Sequence, residues 1–154
     1  GRAPARFDEA ELERLNAAIV HQLPYAHVSE RLPAGMGEAG WEAIRPNLTS
    51  VAQAADWWHI VEGPVEADAA AEDRDFLRAA AEAAERLDWS EGPWAALTLA
   101  LKASTGRGGK ALFLPLRRAL TGRDSGPEMA ALLPLIGREE SIARLRAAAD
   151  NPSG

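Results

Sequence analysis

The stretch Lys102-Ala-Ser-Thr105-Gly106-Arg107-Gly-Gly-Lys110-Ala-Leu-Phe-Leu-Pro115-Leu-Arg117-Arg118-Ala-Leu-Thr121-Gly122-Arg123 holds two helix endings of the same form. Upstream, Trp94, Leu97, Thr98 and Leu101 recur at the three- and four-residue spacing of one helix face. A glycine just past the last periodic residue is the usual stop, because it enters the left-handed conformation without a Cβ clash. One helix is therefore expected after a cap at Ser90, with Pro93 in its first turn, stopping at Thr105-Gly106. A second is expected over residues 110–120, ending at Thr121-Gly122. Pro115 lacks an N–H, so a bend or a late start near residue 114 is expected there.

The same reading extends in both directions. Asp8 with Glu11 gives a capping-box signal, and Leu12, Leu15, Ile19 and Leu23 follow at helical spacing until Pro24. Residues 27–63 break into short helical pieces at Pro33, Gly35, Gly37, Gly40, Pro46 and Gly63. Thr49 or Ser50 caps the piece carrying Val51, Ala54, Ala55 and Trp58. An alanine-rich helix is expected over about residues 72–89. Gly126-Pro127 opens another with Met129, Leu132, Leu133 and Ile136, closed by Gly137. A last helix over residues 139–149 shows Ile142 and Leu145, with its arginines on the other side. No segment alternates with period two. The expected architecture is all-α, in two small helical lobes: residues 7–65 and 66–150, divided near residues 63–72. Residues 1–6 read as a disordered start or a remnant of excision or expression, and 151–154 as a tail.

Charge is unevenly placed. The 154-residue chain has a net charge of −6, yet residues 102–123 carry six basic side chains and no acidic one. Residues 1–101 carry 8 basic and 18 acidic groups. An acidic surface repels polyanions, so binding through that one basic stretch would be confined to a defined face, and clustered Arg and Lys beside glycines suit phosphate. There are no cysteines, which excludes a disulfide framework and thiolate chemistry and suits a cytoplasmic protein. No apolar run approaches the roughly 18 residues needed to span a bilayer, so a soluble, membrane-free chain is expected.

The basic stretch, continued through Ser125-Gly126-Pro127-Glu128-Met129 to Leu135-Ile136-Gly137-Arg138-Glu139, resembles the C-terminal anticodon-binding domain of bacterial glutamyl-tRNA synthetases. The shared elements are Thr-Gly, Gly-Lys before an aromatic, Pro-Leu-Arg before Ala-Leu-Thr-Gly, Gly-Pro, and a closing Leu-Ile-Gly-Arg-Glu. Weaker similarity reaches back through residues 41–57 to Leu15-Asn16. The resemblance implies an all-α helical cage that binds the anticodon loop of tRNA(Glu), and of tRNA(Gln) if discrimination is relaxed. It implies a part of a glutamate–tRNA ligase, monomeric and cytoplasmic. ATP, Mg and catalysis would belong to the N-terminal catalytic domain of the same synthetase. The His-Ile-Gly-His-like and Lys-Met-Ser-Lys-Ser-like motifs of that catalytic domain are absent here, so no catalytic residue and no cofactor are expected in this stretch.

The resemblance also implies roles. Arg117, the arginine of Pro-Leu-Arg, matches the family's anticodon contact, and Gly126, Pro127 and Met129 fall where the family surrounds an anticodon base. Arg45 and Asn47 stand in Ile44-Arg45-Pro46-Asn47, where some members have Leu-Arg-Pro-Arg. An asparagine lacks the charge and fork of arginine, so discrimination between the two tRNAs is expected to be relaxed or rebuilt. From the residues themselves, Arg107, Lys110 and Arg118 are candidate phosphate contacts. Three glycines there precede a helix N-terminus, although the Walker spacing is absent because Ala111 follows Lys110. A mobile turn is the alternative for that loop. For Pro127 and Met129 the plainer alternatives are a first helical residue and a core residue.

Other residues carry less. His21, His27 and His59 are too scattered for a metal site. The five tryptophans mostly recur beside leucine or isoleucine at helical spacing, as core or lobe-interface anchors do. Ser104, Ser125 and Ser141 lack a histidine base and an elbow motif. The rival readings are a helical protein–protein interaction module, whose binding would vary little with salt, and a small standalone enzyme, for which no acid–base constellation is present.

Overall fold

A computed structural model describes residues 9–151. The nine helices among them are α1 (Glu9–Val20), α2 (Tyr25–Val28), α3 (Glu38–Ile44), α4 (Ala54–Glu62), α5 (Ala71–Arg86), α6 (Pro93–Thr105), α7 (Lys110–Thr121), α8 (Met129–Ile136) and α9 (Arg138–Asp150). No strand forms among the described residues, in agreement with the all-α expectation, and none of the helices is long and apolar enough to cross a membrane. The expected cap at Asp8, the start over residues 1–6 and all but Asn151 of the tail lie outside the described residues. The chain divides into two compact units, one up to Trp58 and one from His59. That boundary falls inside α4, ahead of residues 63–72.

In the first unit, Trp41, Ile44 and Leu48 are fully buried, with Val20, Val28, Met36, Val51 and Ala54 around them. The Trp41 Nε1–H donates to the Leu23 carbonyl at 2.7 Å, which satisfies the indole's only polar group inside the core. Gly40, expected as a break, instead lies within α3. A Cβ there would sit 3.0 Å from the Trp58 ring, so the missing side chain makes room for the indole. Residues 25–62 do form short pieces, including 3-10 turns at Ser29–Arg31, Arg45–Asn47 and Val51–Gln53. The Gln53 Oε1 accepts the Thr49 backbone N–H at 2.7 Å and closes the entry to the last of these turns. The apolar stripe of α1 departs from expectation. Leu12, Leu15 and Ile19 are 45%, 49% and 60% exposed, and only Val20 of this helix is buried.

The second unit is built on α5 against α9. Ala80, Ala81 and Ala84 of α5 and Leu145, Ala148 and Ala149 of α9 are all buried, and small side chains let helix axes approach. The Arg74 Nε–H donates to the Ala149 carbonyl at 2.7 Å, and Arg146 pairs with Glu85. α7 packs on α9 and α5, and α6 on α5 and α8. Leu97, Leu101, Leu112, Leu116, Leu120, Leu132 and Leu133 fill the space between them.

Four boundaries differ from the sequence reading. α5 stops at Arg86, short of residue 89, and the Trp89 Nε1–H reaches back to the Ala84 carbonyl at 2.9 Å. Ser90 does not cap α6. Its hydroxyl and N–H both donate to Asp88 Oδ1, at 2.6 and 2.9 Å, which holds that carboxyl below its ordinary range, and Gly92 precedes α6 instead. α8 starts at Met129, two residues after Pro127, with Glu128 ahead of it, and Pro134 lies inside it. α7 starts at Lys110 and runs through Pro115 with no late start.

The Pro115 result has a local cause. A proline leaves the carbonyl four residues earlier without its helical donor, here that of Ala111. Arg107 Nη1 donates to that oxygen at 3.0 Å, so it is not orphaned.

Arg144 of α9, expected on the outer side, is buried, its side chain 4% exposed. It donates from Nη1 to Leu120 O at 2.9 Å and from Nη2 to Val61 O at 3.0 Å, and its Nε bonds Glu140 Oε2 at 2.9 Å. Those carbonyls lie in the last turns of α7 and α4, where no backbone N–H remains to meet them, and the planar guanidinium fork reaches both. A Cβ on Gly63, which sits at φ +75°, would come within 2.7 Å of Arg144 Nη2.

Candidate nucleic-acid interface

The α6–α7 loop follows from its glycines. Gly106 takes φ +74° at the end of α6 and Gly109 takes φ +56°, ψ −140° at the start of α7, so the chain reverses within residues 106–109. Lys110 opens α7 exposed, and no ion pair engages it among the described residues. Arg107 behaves differently. It pairs with Asp73 at 2.7 Å, donates to the Glu72 carbonyl at 2.7 Å, and lies over the Phe76 ring, 4.4 Å from its centroid. With its bond to Ala111, this guanidinium fastens the loop to the first turn of α5. Arg118 is half-exposed and pairs with Asp124 at 3.2 Å and Asp68 at 3.9 Å.

Arg117 is half-buried, and its Nη1 donates to the Pro127 carbonyl at 3.0 Å. Burial lowers the pKa of its guanidinium while the charge of Glu128 raises it, burial being the larger effect. An arginine so placed keeps its charge at physiological pH. The structure thus joins Arg117 to the segment 126–129. Gly126 is half-buried at φ +154°, Pro127 is buried, Glu128 is exposed, and Met129 is 3% exposed in the core. The surface of this segment is therefore offered by Ser125, Gly126 and Glu128 more than by the Pro127 and Met129 side chains.

In the first unit, Arg45 is half-buried and donates from Nη1 to the Leu23 carbonyl at 3.0 Å, while its Nε is buried without a partner. Asn47 ends the 3-10 turn Arg45–Asn47 and is exposed.

Sequence reasoning misses the structural engagement of Arg107 and Arg144, and it misses Phe113. Phe113 of α7 is 38% exposed, 6.2 Å from the Trp94 ring of α6, with Lys102 Nζ 5.3 Å from its centroid. The signal for Arg107 is present in the spacing of Ala111 and Pro115. For Phe113 it is the helical spacing to Lys110 and Arg117.

The family described as "Anticodon binding domain" matches residues 9–149, almost the whole described chain. The chain belongs to this anticodon-binding family. Glutamate–tRNA ligase 1 of Rhizorhabdus wittichii is 67% identical over 149 residues, which are 97% of this chain and 34% of that protein. Glutamate–tRNA ligase 1 of Novosphingobium aromaticivorans is 64% identical over 148 residues, 96% of this chain and 34% of that protein. This anticodon-binding chain therefore spans about a third of the length of these curated relatives. Among solved structures, a glutamate tRNA ligase from Elizabethkingia meningosepticum, crystallised with its amino acid, superimposes with a TM-score of 0.76 at 19% identity. That match covers 98% of this chain and 34% of the other, and at this identity it bears on fold alone, which agrees with the helical architecture.

Proposed function

We propose that this chain is the anticodon-binding part of a glutamate–tRNA ligase and that it binds the anticodon loop of tRNA(Glu). The observation that carries the reading is Arg117. It is a charged fork braced by one bond to the Pro127 carbonyl, on the helix that also presents Lys110, inside the one basic stretch of an acidic family member. Bracing removes freedom that would otherwise be lost on binding, so the remaining N–H donors are preorganised for a base edge or phosphate. Single-stranded loops are read in this way, by edge hydrogen bonds to splayed bases, while phosphate contacts fix register. Lys110 and Arg118 supply the phosphate contacts in this reading, and Arg107 holds the loop that presents Lys110. Gly126 and Pro127 contribute backbone, and Met129 supports that backbone from the core. In the other unit Asn47 takes the exposed position of the first lobe's motif, with Arg45 bracing the turn beneath it.

The chemistry of aminoacylation, with ATP and Mg, belongs in this reading to the remainder of the parent enzyme. Anticodon binding would contribute by orienting the tRNA toward that distant site. The test is titration of the purified chain with anticodon stem-loops of tRNA(Glu), tRNA(Gln) and an unrelated tRNA at two salt concentrations. Salt-sensitive binding that prefers the glutamate loop to the unrelated one is expected. Absence of binding to every stem-loop at low salt contradicts the reading. Equal affinity for the glutamate and glutamine loops assigns relaxed discrimination to Asn47, whereas a glutamate preference that survives Asn47→Ala removes Asn47 from that role.

A further inference from the structure

Phe113 is out of keeping with its helix. The other large apolar residues of α7 that point inward, Leu112, Leu116 and Leu120, are fully buried, whereas Phe113 is 38% exposed. An aromatic ring left at a surface marks a contact when its surroundings are shaped for one. Here they are. Lys110, Phe113 and Arg117 stand at i, i+3 and i+7, one stripe of α7. From α6, the Trp94 ring sits beside Phe113 with its plane inclined by 40°, and Lys102 Nζ lies over the Phe113 face. Neither α6 nor α7 contains an acidic residue. The result is an aromatic pair bordered by Lys102, Lys110 and Arg117.

We propose that Phe113, backed by Trp94, is a stacking platform for one unpaired base of the bound RNA loop, with Lys102 and Lys110 meeting the phosphates on either side of it. This rests on the anticodon-binding reading and adds to it a contact that is indifferent to base identity. Stacking accepts any base because every base has a π face, and a basic rim then follows the backbone. An exposed ammonium held over a ring is a weak contact, so Lys102 can swing to a phosphate and free the Phe113 face for the base. A partner peptide with an apolar face would leave three cations without a role. An acidic peptide is the outcome against which the test must decide.

The experiment titrates the chain and its variants with the tRNA(Glu) anticodon stem-loop, intact and with each loop position in turn made abasic. Thermal melting monitors the fold of each variant. Phe113→Leu keeps an apolar side chain of similar bulk and removes the π face. It is expected to weaken binding of the intact loop by about 5- to 150-fold, the range measured for removal of one base–aromatic stack. The loss should vanish for the RNA that is abasic at one particular position, and Phe113→Tyr should restore binding. Unchanged affinity in Phe113→Leu overturns the platform, as does a loss of the same size for every abasic loop, which would mean a packing role only. Binding of a poly-glutamate peptide with the same dependence on Phe113 also overturns it, since the patch would then be a general polyanion surface. The underlying reading fails separately. If the unmodified chain binds no stem-loop, both proposals fall; if Arg117→Ala abolishes anticodon preference while Phe113→Leu changes nothing, only the platform falls.

Discussion

Arg107 and Arg117 carry the same guanidinium and put it to opposite uses. Arg107 is engaged on every side, by Asp73, by the Glu72 and Ala111 carbonyls and by the Phe76 ring. Replacing it by alanine removes the part-buried charged bond to Asp73 together with the solvent-facing bonds to the Glu72 and Ala111 carbonyls. The expected cost is about 1.5–3 kcal/mol of stability, the usual contribution of a hydrogen bond to a charged group, read from urea unfolding. Lys110 has no such partners, so Lys110→Ala should stay within about 0.5 kcal/mol of the parent in the same measurement. Among the described residues Arg117 makes one side-chain hydrogen bond, and the rest of its fork is left for a ligand. Arg117→Ala should cost about 1–3 kcal/mol of binding to the glutamate anticodon loop and less to a loop with altered bases. Arg117→Lys should not restore the loss, because an ammonium lacks the fork. Titration of the same RNA pair with both variants checks this, and equal losses on both RNAs would reduce Arg117 to a phosphate contact.

At the scale of the helices, the sequence is legible where one residue's backbone decides and silent where a distant partner does. The stops at Gly106, Gly122 and Gly137 are readable because each rests on a local conformation at that glycine. The buried faces of α8 and α6 are readable from period alone. The stripe of Leu12, Leu15 and Ile19 is equally clear, yet it stays exposed, because periodicity reports an apolar face and not what covers it. Arg144 reads as outward because arginine is rarely buried, and only the carbonyls of Val61 and Leu120, far away in sequence, make its burial favourable. For the interface, the family pattern singles out Arg117 and Pro127, but their hydrogen bond is a tertiary fact. The loop before α7 offers a test of the local kind. Gly109 sits at φ +56°, and nothing lies within 4 Å of the place a Cβ would take, so Gly109→Ala isolates backbone strain from clash. It should destabilise by about 1–3 kcal/mol. Gly108→Ala, in equally open space without a positive φ, should be within about 0.5 kcal/mol of the parent. Equal effects in thermal melts would remove the conformational argument.

Across the whole molecule, the decisive quantity is how many of the six cations in residues 102–123 remain for RNA in a chain of net charge −6. Two of the six, Arg107 and Arg118, already face carboxylates. For single-stranded nucleic acid the logarithm of affinity falls with the logarithm of salt concentration at about −0.7 per phosphate neutralised, so contacts by Lys102, Lys110 and Arg117 would give a slope of about −2 and Arg118 as a fourth about −3. The shallower slope is expected. Arg118 decides between them, because its carboxylate partners Asp68 and Asp124 are themselves partly exposed and compete with phosphate in proportion to their charge. Asp124→Asn should therefore strengthen RNA binding at low salt and steepen the slope by about 0.7, as a released Arg118 takes up a phosphate. Lys110→Ala should flatten it by the same amount for cognate and unrelated loops alike, since a phosphate contact carries no sequence information. Titrations at four or more salt concentrations measure both changes. A slope that Asp124→Asn leaves unchanged would place Arg118 outside the interface, and the basic face would then reduce to the α7 stripe with Lys102.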